Sequence, residues 1–582
     1  MTNENKSEFK ILNEVNFLFK EISYPKKLYL YFIVLIMIVS AIAEILSIGA
    51  IIPFISILFD INNYPQISFL ESNNLLSTNS INFKYYVSFA FCLIVILSGL
   101  VRVFLIYIIT NFSYTLGNEI STKLLSNIIN QKYEYHIINN TSETISNVAQ
   151  KVNIIISQIF LPLLTLLSTS IIFIFIFSFM LLIDYRITIL AFSSFFIIYL
   201  IIIFLTKNFL KNSSKIISLN FDNQIRVLQE SMLGIKDIIL TDNQRKIMKN
   251  FNEIDFNLRK YQGINQFITS SPRFVVEAIA IVLIVFLALM FSDKGNKIGT
   301  ILPTLAALAF CAQKLLPLVQ QSYWSFTNII GTQESLFEIT KLFKLKNYDN
   351  EEIQNDKVEF NKIIKFEHFS YYYNNNYKKL ILKNINLEIK KGDKIFLKGK
   401  TGQGKTTFIN ILMGLLSSSQ GNIYIDEKKL KFSNIKSWQS KISHVPQNVF
   451  LLNSTIKDNI IFGSKNNLDE KKLNKSIKLS CLDEYITNLK NGIHTLVGEN
   501  GIQISGGQKQ RIGIARALYR DSDILIFDEA TNALDETTEK EVIRNILTEF
   551  KNKTLIIISH RLITESLMER SFQFENNNII EI

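Results

Sequence analysis

The chain has 582 residues, a formal net charge of +12 and 45 phenylalanines, and 48% of its residues are apolar. Its mean hydropathy is +0.21, more apolar than a pair of water-soluble domains needs to fill their cores, so a wholly soluble fold is excluded. Cys92, Cys311 and Cys481 lie far apart and offer neither a disulfide framework nor a zinc pattern.

The first 25 residues are polar and carry Lys6, Lys10 and Lys20, with Lys26 and Lys27 just beyond. No short apolar block with a small-residue cleavage site follows, so this segment is expected to be retained, and its charge predicts a cytoplasmic amino end. Apolar stretches of bilayer length, about twenty residues, run over 28–59, 86–111, 154–183, 187–205, 275–291 and 298–318. Six crossings return the chain to the cytoplasmic side. The connection 62–84, punctuated by Asn, Ser and Pro, is expected outside. Basic cytoplasmic loops account for the positive charge, and no nucleic-acid partner is expected.

Ionisable side chains inside these spans cost about 2.5–3.5 kcal/mol each on insertion scales, so Glu44, Arg102, Glu277 and Lys314 should face one another or a wet cavity. Arg102, Arg273 and Lys314 suit phosphate oxygens; the alternative is internal ion pairing with Glu44 or Glu277, or a headgroup-level anchor for Arg273.

After residue 358 the pattern changes. Lys394 to Leu397 is a short apolar run that ends at Gly399-Lys400-Thr401-Gly402-Gln403-Gly404-Lys405-Thr406, a G-x-x-x-x-G-K-T phosphate loop, followed by Thr407 and apolar residues at helical spacing. Its glycines let backbone N–H groups curl around phosphates, Lys405 reaches the outer phosphate oxygens, and the Thr406 hydroxyl suits Mg²⁺. Ile524 to Phe527 reads as a buried strand ending in Asp528-Glu529, and Leu555 to Ile558 as another ending in Ser559-His560. One carboxylate can polarise water on Mg²⁺ while the next orients an attacking water.

With Gln447 in His-Val-Pro-Gln and the run Ile504-Ser505-Gly506-Gly507-Gln508, this ordered set resembles the nucleotide-binding domain of ABC transporters. The expected fold is an α-helical six-helix transmembrane domain of the exporter type over 1–340, followed by an α/β P-loop ATPase domain over 358–582. The resemblance implies that Tyr373 stacks on adenine, with Tyr371 close enough to compete for that role. It implies that Gln447 meets Mg²⁺ and the membrane domain, Glu529 is the general base, and His560 contacts the γ-phosphate. Thr406, Gln447 and Asp528 would hold the metal, and the 495–499 run would lie against the partner's membrane helices. Ile504 and Asn532 depart from the commonest pattern, which has Leu and Ser there; neither removes a phosphate or metal ligand.

Ser505, Gly506, Gly507 and Gln508 at a helix start make a second anion cradle, which in the family faces the phosphate loop of another subunit. One set of motifs per chain therefore implies two copies, a homodimer more simply than a heterodimer. Segments 133–146 and 221–239 are expected to carry the cytoplasmic coupling helices of exporter-type members. Dispersed runs around Glu44, Gly234, Arg273 and Lys314 resemble PglK-type flippases of lipid-linked oligosaccharides and surface-polysaccharide exporters, although relatives often have Arg at the position of Lys314. The expected activity is ATP-driven export or flipping at the inner membrane, with a lipid-linked glycan as cargo. Exporters of drugs, lipids or peptides are the alternative.

Overall fold

A computed structural model describes residues 3–51, 54–55, 81–183, 185–279, 281–282, 298–346, 356–372, 380–417, 420–464, 468–559, 561 and 565–582. The chain divides into two units: Met1–Gln131 with Ile138–Asn347, and Lys132–Ile137 with Tyr348–Ile582.

The first unit is helical. Helix α1 (Asn3–Glu21) comes from the polar amino end and buries Ile11, Val15 and Leu18, a stripe at helical spacing that its polar composition hides. Then come α2 (Tyr24–Gly49) and α3 (Ile81–Ile129); α4 (Tyr133–Ile138), next in the chain, belongs to the second unit except for Ile138. A run over Thr141–Leu182, α5, is interrupted by π-turns at Ser146–Lys151 and Ile156–Phe160. It is followed by α6 (Tyr185–Leu233), α7 (Ile235–Leu240), α8 (Gln244–Ser270), α9 (Ile298–Gly331) and α10 (Gln333–Phe343).

Among the described residues, three helices are long and apolar enough to cross a membrane, over Tyr24–Gly49, Lys84–Ile129 and Thr141–Leu182. Such runs become helices because hydrocarbon offers the backbone no hydrogen-bond partner outside the segment. The fourth and sixth expected crossings lie in α6 and α9, while most of the fifth, 275–291, lies outside the described residues. Burial differs from that of a soluble bundle, because polar side chains share the interior and large apolar ones also cover the outside. Ser40, Glu44, Ser47, Ser98 and Ser113 are buried, whereas Phe89, Ile96, Leu100 and Phe104 of α3 and Phe204 and Leu205 of α6 stand exposed. An apolar outside of this extent fits a lipid solvent.

The second unit has two sheets. Strands β1 (Ile363–Tyr372), β2 (Leu380–Lys390), β4 (Gln420–Ile425) and β5 (Lys428–Lys429) form an antiparallel sheet ordered β2-β1-β4-β5. The other joins β3 (Lys394–Lys398), β6 (Ile442–Val445), β7 (Ile524–Asp528), β8 (Thr554–Ile558), β9 (Arg570–Glu575) and β10 (Asn578–Glu581) in the order β10-β9-β3-β8-β7-β6. Strands β9, β3, β8, β7 and β6 run parallel, and β7 and β8 are buried at every position, which explains their unbroken apolar sequence.

That register decides where the motifs emerge. Val445 lies beside Phe527, Asp528 beside Ile558, and Ile558 beside Leu397. The carboxyl ends of four parallel strands therefore line one edge, where open α/β sheets bind ligands. Three further helices carry the site: α11 (Lys405–Leu412), α12 (Gly506–Arg520) and α13 (Glu536–Glu549).

Part of the expected first coupling segment belongs to this second unit. The Glu134 carboxylate accepts from Ser417 through its backbone N–H at 3.2 Å and its hydroxyl at 3.1 Å. Lys132 Nζ lies 5.4 Å from the centre of the Phe432 ring. The second expected segment is built from the end of α6 and α7, and its Met232, Leu233, Ile239 and Leu240 are exposed.

Candidate functional site

The loop after β3 can turn sharply because Gly402 and Gly404 take φ values of 84° and 96°. Gly404 caps α11, and a Cβ there would meet Ile381 Cγ2 at 2.9 Å, so both backbone and space require glycine. Gln403 Oε1 accepts the Lys400 N–H at 2.7 Å. Lys405 is buried, and its Nζ donates to the Gly399 carbonyl and, at 3.3 Å, to that of Lys400.

Burial pulls the Lys405 pKa below the ordinary lysine value, against the opposing charges of Glu529 and Asp528. Asp528 shows the mirror image: burial and then the Glu529 charge raise its pKa, while Lys405 and a hydrogen bond from Thr406 work against the rise. One cation, two carboxylates and one hydroxyl thus share a single electrostatic neighbourhood at the sheet edge.

Glu529 follows β7 with φ of 51°, in the left-handed region, and its N–H donates to the Ile558 carbonyl at 3.0 Å. Its Oε2 accepts from Gln447 Nε2 at 2.7 Å and from Asn532 Nδ2 at 3.1 Å. The structure therefore brings Lys405, Thr406, Gln447, Asp528 and Glu529 together. Tyr373 and His560 lie outside the described residues. Tyr371, the competitor for the adenine role, is 4% exposed in the hydrophobic core beside Phe369 and Leu382.

Ser505 caps α12 through a capping box: its Oγ accepts the Gln508 N–H at 3.2 Å, and Gln508 Oε1 accepts the Ser505 N–H at 2.8 Å. Ser505 and Gly506 are exposed, so the helix start points an anion-binding end to its surroundings. The 495–499 run is anchored on its neighbour, with Ile456 N–H donating to Thr495 and Val497 N–H to Ser454.

Several contacts escape a reading by motif. Gln510 Oε1 accepts the Ala533 N–H at 2.9 Å, tying the signature helix to the loop after Glu529. Arg561 Nη2 donates to the Asn532 and Leu534 carbonyls at 3.2 and 3.0 Å, while its Nη1 pairs with the buried Glu539. Asn532 stands three residues after Glu529, a spacing that could have flagged it; Gln510 and Arg561 have partners more than twenty residues away.

In the first unit the proposed cavity residues form two groups. Glu44 is 4% exposed and meets Lys314 at 3.0 Å and Arg102 at 3.6 Å. Arg273 pairs with Glu277 at 2.8 Å, and Gln320 also reaches Glu277, at 3.4 Å. Internal pairing, the alternative raised from the sequence, describes this conformation.

The oxygen donors fit Mg²⁺, the cation that ATPase sites of this fold imply. Asp528 is a carboxylate in a buried setting that disfavours its lone charge, and Thr406 and the Gln447 amide add hard oxygens.

Comparison with known proteins identifies the family of both halves. The profile of the ABC transporter family matches residues 382–532, and that of the ABC transporter transmembrane region matches 29–313. The ATP-dependent lipid A-core flippase of Photorhabdus laumondii is 32% identical over 376 residues, 63% of each chain. The ATP-dependent permease MDL1 of Candida albicans is 29% identical over 381 residues, 64% of this chain and 55% of its own. The chain thus aligns over less than two thirds of these relatives. The solved structure of a bacterial Atm1-family ABC exporter with ATP bound superposes with a TM-score of 0.78 at 18% identity, covering 96% of this chain and 94% of that one.

Proposed function

The chain belongs to the ABC transporter family, and on that premise we propose that two copies hydrolyse ATP to flip an amphipathic lipid, most specifically a lipid-linked oligosaccharide, across the inner membrane. The observation that carries the ATPase reading is the convergence of Lys405, Asp528, Glu529 and Gln447 on one sheet edge. The chain's similarity to lipid A-core flippases supports a lipid cargo. The narrower glycan assignment rests on the PglK-type resemblance of the membrane half.

In this reading loop 399–406 and Thr407 wrap the phosphates with backbone N–H groups, and the Lys405 ammonium leaves the Gly399 and Lys400 carbonyls for phosphate oxygens. Thr406, Gln447 and Asp528 would hold Mg²⁺, which neutralises charge developing on the transferred phosphoryl group. Glu529 orients the attacking water, and His560 meets the γ-phosphate. Tyr373 stacks on adenine. Ser505 to Gln508 of the second copy close the site from the opposite face. The ATPase unit and amino end lie in the cytoplasm, and the helices 133–138 and 235–240 pass closure to the membrane helices.

For the cargo, the cations of the membrane half matter. Arg102 and Lys314 both meet Glu44, and guanidinium and ammonium groups of this kind suit the phosphate oxygens of an anionic headgroup. Proteoliposomes holding a polyprenyl-pyrophosphate oligosaccharide or a hydrophobic dye test the proposal. ATP-dependent movement of the glycolipid, lost in Glu529→Gln while nucleotide still binds, is expected. Movement of the dye alone would assign the chain to drug export instead.

A further inference from the structure

A carboxylate only accepts hydrogen bonds, so whatever aims Glu529 must bring it N–H or O–H donors. Two amide nitrogens converge on its Oε2: Gln447 at 2.7 Å and Asn532 at 3.1 Å. In the proposed mechanism Gln447 would have a second task, because its amide oxygen would be one of the donors to the metal. Asn532 has no such competing role. Moreover, the Glu529 backbone sits at φ of 51°, where a non-glycine residue is held by its surroundings rather than by its own preference.

The loop that carries Asn532 is fixed from three elements. Gln510 of α12 accepts the Ala533 N–H at 2.9 Å. Arg561, after β8, grips the carbonyls of Asn532 and Leu534 and is itself paired with Glu539 of α13. Glu539 is 2% exposed and also accepts from the Thr531 hydroxyl at 2.7 Å. A Cβ on Gly507 would come within 3.0 Å of the Ala533 carbonyl, which shows how closely the signature helix rests on this loop. Charge-assisted bonds of this kind are the stronger ones, and the arginine fork adds direction as well as energy.

We propose that Asn532 is a positioning residue: its carboxamide holds the Glu529 carboxylate in the orientation that activates water, and the Arg561–Glu539 pair fixes Asn532 in turn. The inference rests on the reading that Glu529 orients the attacking water. It gives the Asn at this position, where Ser is commoner in the pattern, a specific task.

The test uses the full chain reconstituted as a dimer in lipid, with kcat and KM for ATP measured for Asn532→Ala, Asn532→Asp and Glu529→Gln. Asn532→Ala should lower kcat about tenfold with KM within about twofold, the effect of losing one bond to a charged group in the reacting geometry. Asn532→Asp keeps the shape but replaces the donor with an acceptor, so it should lose at least as much kcat with an unchanged thermal midpoint. Wild-type kcat in both Asn532 variants, with Glu529→Gln silent, overturns the positioning role alone. Loss of kcat matched by a rise in KM and a fall in the midpoint also overturns it. Normal turnover by Glu529→Gln overturns the reading beneath it.

Discussion

His444, in β6 beside Ile526, is buried enough to push its pKa down to about 4 from the usual 6.5, and its Nε2 has no hydrogen-bond partner among the described residues. An unfolded chain takes up this proton near pH 6.5, whereas the folded chain resists it until about pH 4. Stability should therefore be full above pH 6.5 and fall as pH drops towards 4. Thermal midpoints followed by tryptophan fluorescence over pH 4–7 should show this slope, and His444→Leu should flatten it. A slope unchanged in the variant would assign the acid sensitivity to other groups. At this scale the phosphate loop and the Asp528-Glu529 pair were legible in the sequence, because their chemistry needs fixed residue types at fixed spacing. The Asn532 contact was not, since a departure from a common pattern says nothing of what the new side chain touches. That Tyr371 is buried in the core was likewise not legible from its place in the Tyr-Tyr-Tyr run.

Parallel strand order turns four distant motifs into one site, and the buried runs of β7 and β8 announced that order in their sequence. The π-turns of α5 had no such signal, because nothing in the Ser146–Lys151 composition marks an extra residue per turn. The first of them carries Lys151, wholly buried, with its Nζ 2.7 Å from Asp222 of α6 and paired also with Glu338 of α10. Ser218 donates to the same Glu338 at 2.9 Å. One ammonium thus joins three helices. Removing one partner of a buried ionic group costs about 3 kcal/mol, and roughly 2 kcal/mol is the better figure here because both carboxylates keep some contact with water. Lys151→Met should lower the thermal midpoint by several degrees. Adding Asp222→Asn and Glu338→Gln should restore much of it. A fall that persists in the triple variant would point to packing rather than charge.

Across the whole molecule, the proposed pairing of two copies rests on what one chain carries. The phosphate loop and the capped start of α12 each offer an anion-binding surface, and one chain carries one of each. The apolar tip formed by Met232, Leu233, Ile239 and Leu240 is exposed in the single chain, as a coupling segment awaiting a neighbour would be. Domain order and membrane character were readable from hydropathy alone, because the core of a soluble domain rarely needs an apolar run as long as a bilayer is thick. The cargo was less readable: ion pairs such as Lys314–Glu44 serve equally as structure and as a receptive charge.

The central claim is that each ATP is hydrolysed between two copies. The most direct measurement compares ATP turnover per chain in nanodiscs that hold one copy with nanodiscs that hold two. Silent single copies and active pairs are predicted; equal turnover per chain in both would contradict the account.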